Sequence, residues 1–294
     1  MKSPTLPIGS FTFHWGSRTY VMGILNVTPD SFSGDGIIAK GDVIEMAVKQ
    51  AADFLEGGAD ILDVGGESTR PGSAPVNAEE ETERVIPVIE ALHSNFPNAI
   101  ISIDTYKASV AETAIRAGAH IVNDVWGFRA DERIASVAAK YKTPVILMHN
   151  RSNPASVEVR EKLGGTYLGA EYGNLLEDVK RELLVSVEIA KNAGVRENVI
   201  LLDPGIGFGK TREHNLELIN RLGEIRSLGY PILLGTSRKS FIGFTLDLPP
   251  DQRIEGTAAT VAVGITRGAD IIRVHDVKAM ARVAKMTDAM VRMN

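Results

Sequence analysis

Asn26, Asp63, Asp104, Asn123 with Asp124, His149, Asp203, the run Gly235 to Ser240, and Arg273 with His275 and Asp276 all stand where a short apolar run stops. Any one of them has a plain explanation, since an Asp after a strand commonly caps the next helix. Eight polar ends in one register are harder to account for in that way. Together they suit a flat, hydrogen-bonding heterocycle that carries an anionic tail. Asp104, Asn123 and Asp203 can accept from ring N–H and amino groups, while Asn side chains and Lys239 can donate to ring acceptors. Arg273, His275 and the turn Gly235-Thr-Ser-Arg-Lys-Ser240 fit phosphate. No Ser/His/Asp arrangement or HExxH is present, and the absence of cysteine removes thiolate nucleophiles and thiolate metal sites. Only hard oxygen ligands remain for a metal, which points to a loosely held Mg2+ bridging substrate phosphates.

These residues need a scaffold that brings eight chain segments to one rim. Val21, Ile24 and Leu25 read as a buried strand, and Asn26 opens a polar loop with turn residues through Gly36. Val43, Ile44, Ala47, Val48, Ala51, Ala52 and Leu55 then follow helical spacing up to Gly57-Gly58. The alternation continues with strands near 60–64, 100–103, 120–122, 144–148, 199–202, 230–234 and 270–274. Helices are expected near 79–94, 107–117, 131–141, 171–193, 214–228 and 255–266, with a last one to the C-terminus. Strict alternation of apolar strands and helices predicts a parallel sheet, and eight units predict a closed (β/α)8 TIM barrel. An open doubly wound sheet is the alternative, weakened because no GxGxxG or Walker A loop follows the first strand. Gly58-Ala-Asp, Gly118-Ala-His and Gly268-Ala-Asp each join a helix end to the next strand, a faint internal repeat. Upstream, Ser10 to Tyr20 reads as a hairpin turning at Gly16-Ser17, with Phe11, Phe13 and Trp15 on one face, capping the barrel bottom. The expected organisation is one domain over 1–294, with the hairpin in 1–19 and the barrel in 20–294.

Composition agrees with an enzyme of this kind. The 294 residues are 44% hydrophobic and 23% charged, which excludes a disordered or fibrous chain. A net charge of -5 argues against nucleic acid as a partner, because backbone phosphates call for surplus Lys and Arg. The N-terminus lacks an apolar signal region and no window suggests a membrane span, so the expected setting is soluble, unsecreted and cytoplasmic.

The segments MGILNVTPDSFS, DVGGESTRPGS, SIDTYK, AGAHIVNDVWG, ILMH, LDPGIGFGKT, LLGTSRKSFIG, EGTAAT and IRVHDV resemble, in order and over nearly the whole chain, the motifs of the dihydropteroate synthases. That resemblance implies condensation of 6-hydroxymethyl-7,8-dihydropterin pyrophosphate with p-aminobenzoate to give dihydropteroate and pyrophosphate. It also implies that Asp104, Asn123, Met148, Asp203, Gly235 and Lys239 hold the pterin. Asn26 would contact Mg2+ and pyrophosphate, with Thr69, Arg273 and His275 on the pyrophosphate. Arg70, Phe208 and Ser240 would shape the aminobenzoate site, and the chain would form a homodimer. Asn26, Lys239, Arg273 and His275 would carry catalysis, chiefly by neutralising the departing pyrophosphate.

The resemblance is incomplete in two places. The first loop reads SFSGDG where the family more often reads SFSDGG, which displaces Asp35 by one position. The connection from Asn150 to Gly169 is longer than the family suggests and receives no role from it. A pterin-dependent methyltransferase would share Asp104, Asn123 and Asp203 but would have no use for Arg273 and His275 as an anion clamp. A non-catalytic pterin-binding paralogue is the other alternative, opposed by the intact set Asn26, Lys239 and Arg273.

Overall fold

The computed structural model describes residues 5–28, 40–69, 72–153, 155–160 and 162–292. Eight parallel strands form the centre: β3 (Tyr20–Asn26), β4 (Ile61–Gly65), β5 (Ile100–Asp104), β6 (Ile121–Asp124), β7 (Val145–Met148), β10 (Ile200–Asp203), β11 (Leu233–Leu234) and β12 (Ile271–Val274). Ladder pairing runs from β10 through β7, β6, β5, β4, β3 and β12 to β11, and a parallel bridge between Leu202 and Ile232 closes the ring. The expected TIM barrel is therefore present. Its strands are buried nearly throughout, as parallel strands covered by helices must be.

Ten helices are described around the ring: α1 (Lys40–Glu56), α2 (Ala78–Asn95), α3 (Ala108–Ala117), α4 (Ile134–Tyr141), α5 (Leu175–Asn192), α6 (Arg212–Asn220), α7 (Leu222–Arg226), α8 (Ser240–Leu246), α9 (Ile254–Thr266) and α10 (Val277–Val291). Caps fix several starts. The Asn77, Asn174 and Thr211 side chains accept from the backbone N–H groups of Glu80, Glu177 and His214, so α2, α5 and α6 begin one residue later. The single helix expected over 214–228 is interrupted at Arg221 and becomes α6 and α7.

The faint repeat has a physical role at the bottom of the barrel. Gly58, Gly118 and Gly268 take φ of +99°, +118° and +101°, a conformation that ends a helix and that side chains rarely adopt. Two residues later, Asp60 Oδ2, His120 Nδ1 and Asp270 Oδ2 accept hydrogen bonds from the N–H groups of Val21, Ile101 and Ile232. Each repeat thus satisfies a backbone donor near the start of the neighbouring strand.

The N-terminal hairpin needs a correction in its register. It pairs β1 (Thr5–Ile8) with β2 (Phe11–His14) and turns at Gly9-Ser10; Gly16 and Ser17 form the turn that leads into the barrel. The expected aromatic face is there. Phe13 is buried, stacks on Trp15 at 5.4 Å and meets Tyr20 edge-on at 4.7 Å. Tyr20 opens β3, so the hairpin covers the end of the barrel opposite the polar rim. The long connection after β7 contains a second hairpin, β8 (Val157–Arg160) with β9 (Gly164–Tyr167), which periodicity did not reveal.

Candidate active site

The ladder registers place the polar strand ends on one rim. Gly65 pairs with Asp104, Asp104 with Asn123, and Asp203 with Met148, while Asn26 pairs with Gly65. Arg273, projecting from β12, joins several of them. Its Nε donates to Asp63 Oδ2 at 2.6 Å and its Nη2 to Asp104 Oδ2 at 2.6 Å. Asn123 Nδ2 donates to the same Asp63 oxygen at 3.2 Å. Asp63, fully buried, is the floor on which Arg273 and Asn123 rest. The sequence marked it only as one polar strand end among eight, because nothing local announces a partner 210 residues away.

Charge in this cluster is unbalanced. Burial pushes the Asp104 carboxyl up to about 7, against the pull of Arg273 and with Asp63 adding to the rise. For Arg273 burial opposes the charge, but Asp63 and Asp104 outweigh it and its pKa is raised. Asp203 is buried and also raised, by desolvation first, with Lys239 and the Gly205 N–H acting the other way. Lys239 is lowered to about 8 by burial, opposed by Asp203. A carboxyl raised by burial is poised to accept from donors brought by a ligand.

The loop after β10 is shaped by its packing on the chain after β7. Gly205 sits at φ +70° with its Cα against the His149 carbonyl, where an added Cβ would lie 1.8 Å from that oxygen. Its N–H donates to Asp203 Oδ1 at 2.7 Å, which orients the carboxylate. Beneath the loop, Lys210 is buried and reaches Gly205 O at 2.8 Å, Phe208 O at 3.1 Å and His149 Nδ1 at 2.9 Å. Three acceptors match the three donors of an ammonium, although burial pulls Lys210 well below the ordinary lysine range against the support of Asp203. Burial, followed by the Lys210 charge, takes His149 down to about 3, so the ring is neutral, accepts at Nδ1 and donates from Nε2 to Glu182 at 3.1 Å. Phe208 is presented to the rim with Lys239 Nζ 4.6 Å from its ring centre, and Lys239 also donates to Ile206 O.

Three of the polar ends hold loops and do not belong to the cluster. His149 is engaged as above. Asp124 accepts from Trp126 N and Phe128 N at 2.7 and 2.8 Å, and Asp276 is bonded to Arg238. The remaining expected residues lie around the rim. Met148 is buried against Gly205, Gly235 lies beside Arg273, and His275 Nδ1 is 3.0 Å from Ser237 Oγ. Ser240 opens α8, a helix of seven residues. Thr69 lies in the loop after β4, and its carbonyl accepts from Tyr167 Oη at 3.2 Å. Arg70 and Asp35 lie outside the described residues. Lys210, Glu182 and Tyr167 were missed; the GFGKT motif was the only signal available for Lys210.

The fit to a divalent cation rests on a small cradle. An added Cβ at Gly65 would lie 3.9 Å from Asn26 Oδ1 and 3.7 Å from Asp104 Oδ2, so glycine there keeps the space between them open. Among the described residues no group of three or more His, Cys, Asp or Glu could hold a metal. Asn26 Oδ1 is a hard oxygen of the kind Mg2+ takes, and with Asp104 Oδ2 engaged by Arg273 most of the coordination would fall to substrate phosphate.

Comparison with known proteins agrees with this geometry. The family model described as pterin binding enzyme matches residues 22–275. The chain is 54% identical to a dihydropteroate synthase of Clostridium beijerinckii over 98% of this chain and 100% of that relative. A crystal structure of a dihydropteroate synthase from Clostridium difficile in the presence of pteroic acid superimposes with a TM-score of 0.86 at 49% identity, covering 96% of this chain and 100% of that one. A Xanthomonas albilineans dihydropteroate synthase with 4-aminobenzoic acid gives a TM-score of 0.88 at 37% identity, covering 99% of this chain and 100% of that one.

Proposed function

The chain belongs to the pterin binding enzyme family, in its dihydropteroate synthase branch, and we propose that it joins 6-hydroxymethyl-7,8-dihydropterin pyrophosphate to p-aminobenzoate at the rim around Arg273. It is a transferase of folate biosynthesis. The observation that carries the assignment of roles is the Asp63–Arg273–Asp104 network beside Asp203 and Lys239, which gathers acceptors for ring donors next to cations for an anionic tail.

In this reading Asp203 and Asp104 accept from the ring N–H and amino groups, with Asn123, Met148 and Gly235 shaping the slot and Lys239 donating to the ring. Arg273, His275, Thr69 and Asn26 face the pyrophosphate. Mg2+, held by Asn26 Oδ1 and the substrate's own phosphates, would supply charge neutralisation for the leaving group. The bond between the pterin methylene carbon and the bridging oxygen breaks, and its electron pair leaves with the pyrophosphate. Lys239 and Arg273 stabilise the charge that develops there. The electron-rich pterin spreads the cationic character of the methylene until the aminobenzoate nitrogen attacks, and the amine proton leaves to solvent. Phe208, Ser240 and Arg70 form the aminobenzoate site in this scheme.

Leu216 on α6, Val263 on α9, and Met286 and Met290 on α10 are exposed apolar side chains on α9 and the two helices packed against it, and they support a homodimer through this side of the barrel. No described helix is long and apolar enough to cross a membrane. A reducing cytoplasm is supported by the cysteine-free sequence.

The deciding assay is pyrophosphate release with and without p-aminobenzoate, and with and without Mg2+. Release that requires both p-aminobenzoate and Mg2+ is expected. Methyl transfer from a methylated pterin, or pterin binding without turnover, would replace the reading with one of its two alternatives.

A further inference from the structure

The β8–β9 hairpin in the long connection after β7 lies outside every role assigned above. It is fastened to the body of the barrel. Arg253 is buried, donates from Nη2 to Leu163 O at 2.8 Å, and uses Nη1 on Arg238 O and Nε on Leu248 O. Arg160 lies over the Phe244 ring of α8 at 4.6 Å, and the hairpin exit is tied by Ala170 N to Gly209 O at 3.0 Å. The hairpin therefore shares its anchors with the turn that carries Lys239 and with the loop that carries Phe208.

Its last residue, Tyr167, reaches the rim from this fixed base. The ring lies 6.3 Å from that of Phe208, nearly parallel at 29°, and Lys239 Nζ sits 4.6 Å from the same Phe208 ring. The hydroxyl donates to the carbonyl of Thr69 on the loop after β4. That loop is also held from its near side, by Glu67 bonded to Tyr106 and Lys107 and by Ser68 to Ser73. Burial raises the Tyr167 phenol, with Glu67 adding to it, so it remains a donor across neutral pH. One half-buried side chain thus joins the Phe208 wall to the loop after β4.

Resting on the proposed function, we propose that Tyr167 is a positioning residue for the aromatic amine. Its ring extends the wall begun by Phe208, and its hydroxyl holds Thr69 beside that wall. Among the described residues its contacts are with Phe208 and Thr69 and not with the pterin-binding Asp104, Asn123 or Asp203, so its effect falls chiefly on the aromatic amine, with a smaller one through Thr69 on the pyrophosphate.

The test compares Tyr167→Phe and Tyr167→Leu with the unaltered enzyme, measuring kcat and the KM of each substrate separately. Removing one neutral hydrogen bond in Tyr167→Phe is expected to raise the p-aminobenzoate KM about 3- to 10-fold. Removing the ring as well in Tyr167→Leu is expected to raise it on the order of 30-fold or more. The pterin pyrophosphate KM, touched only through Thr69, should rise clearly less than the p-aminobenzoate KM in each variant, by about threefold or less. An unchanged p-aminobenzoate KM in both variants, or equal losses for both substrates, overturns the proposal. If the unaltered enzyme releases no pyrophosphate with p-aminobenzoate, the failure lies in the functional reading, and it is visible before any variant is made.

Discussion

Arg273 Nη2 donates to Asp104 Oδ2 at 2.6 Å, tying β12 to β5 across the mouth of the barrel, while Nε of the same guanidinium holds the deeper Asp63. One cation serves two carboxyls that burial has deprived of water. Burial, with the neighbouring Asp63 carboxylate adding to it, holds Asp104 near 7 despite its salt bridge to Arg273. The rim therefore presents acceptors that a ligand with N–H donors can use.

Binding of a pterin should release a proton from Asp104. Donors facing Asp104 favour its ionised form, so its pKa falls from about 7 on binding. At pH 7 roughly half a proton should then appear in solution per pterin bound. Calorimetry in two buffers of different ionisation enthalpy reads this directly, and Asp104→Asn should abolish it. Equal apparent enthalpies in both buffers for the unaltered enzyme would place Asp104 away from the ring.

Asp203→Asn should weaken a pterin ligand by about 2–4 kcal/mol, because a charged acceptor facing ring donors becomes in part a donor itself. The amide oxygen can still accept from Gly205 N, which lies 2.7 Å from Asp203 Oδ1, so the loop and the melting temperature should change little. Titration calorimetry checks the affinity and thermal unfolding checks the fold. Near-unchanged affinity in a folded variant contradicts the assignment.

The barrel and its rim were legible because both depend on local signals. Apolar runs ending in polar residues marked each strand end, and Gly58, Gly118 and Gly268 marked helix ends at the positions where positive φ is found. What could not be read was long-range pairing. The roles of Asp63, Lys210 and Tyr167 depend on partners 210, 61 and 98 residues away, and no spacing rule reports such distances. The β8–β9 hairpin escaped for another reason, since Val157–Arg160 and Gly164–Tyr167 are short, half-exposed and rich in charge and glycine. The N-terminal hairpin was placed too late in the chain because Gly16-Ser17 looks as good a turn as Gly9-Ser10.

Lys210 is expected to be a structural linchpin of the loop after β10. Lys210→Met leaves Gly205 O, Phe208 O and His149 Nδ1 without their donor. Stranded buried acceptors cost about 1–3 kcal/mol each before relaxation, so a loss on the order of 3 kcal/mol overall is expected. Urea unfolding should reveal it as a lower midpoint with an unchanged slope. A midpoint within error of the unaltered protein would mean that water enters and replaces the ammonium.

The final prediction concerns Lys239 and the alkaline limb of activity. Burial lowers its pKa to about 8, against the support of Asp203, so in the free enzyme the ammonium loses its charge as pH rises through 8. If that charge neutralises the departing pyrophosphate, kcat/KM should fall tenfold per pH unit above about 8.5, beyond an acid limb near pH 7 set by Asp104. The sign is fixed by the chemistry, since the protonated form is the active one and is lost at high pH. Lys239→Arg separates charge from proton transfer, because a guanidinium stays ionised throughout this range. That variant should lose about tenfold in maximal kcat/KM, as its planar fork cannot reproduce the contacts with Ile206 O and the Phe208 ring, yet its profile should stay flat from about pH 8 to about pH 10. An alkaline limb that remains at pH 8 in Lys239→Arg would assign the titration to another group and remove Lys239 from the neutralisation of the leaving group.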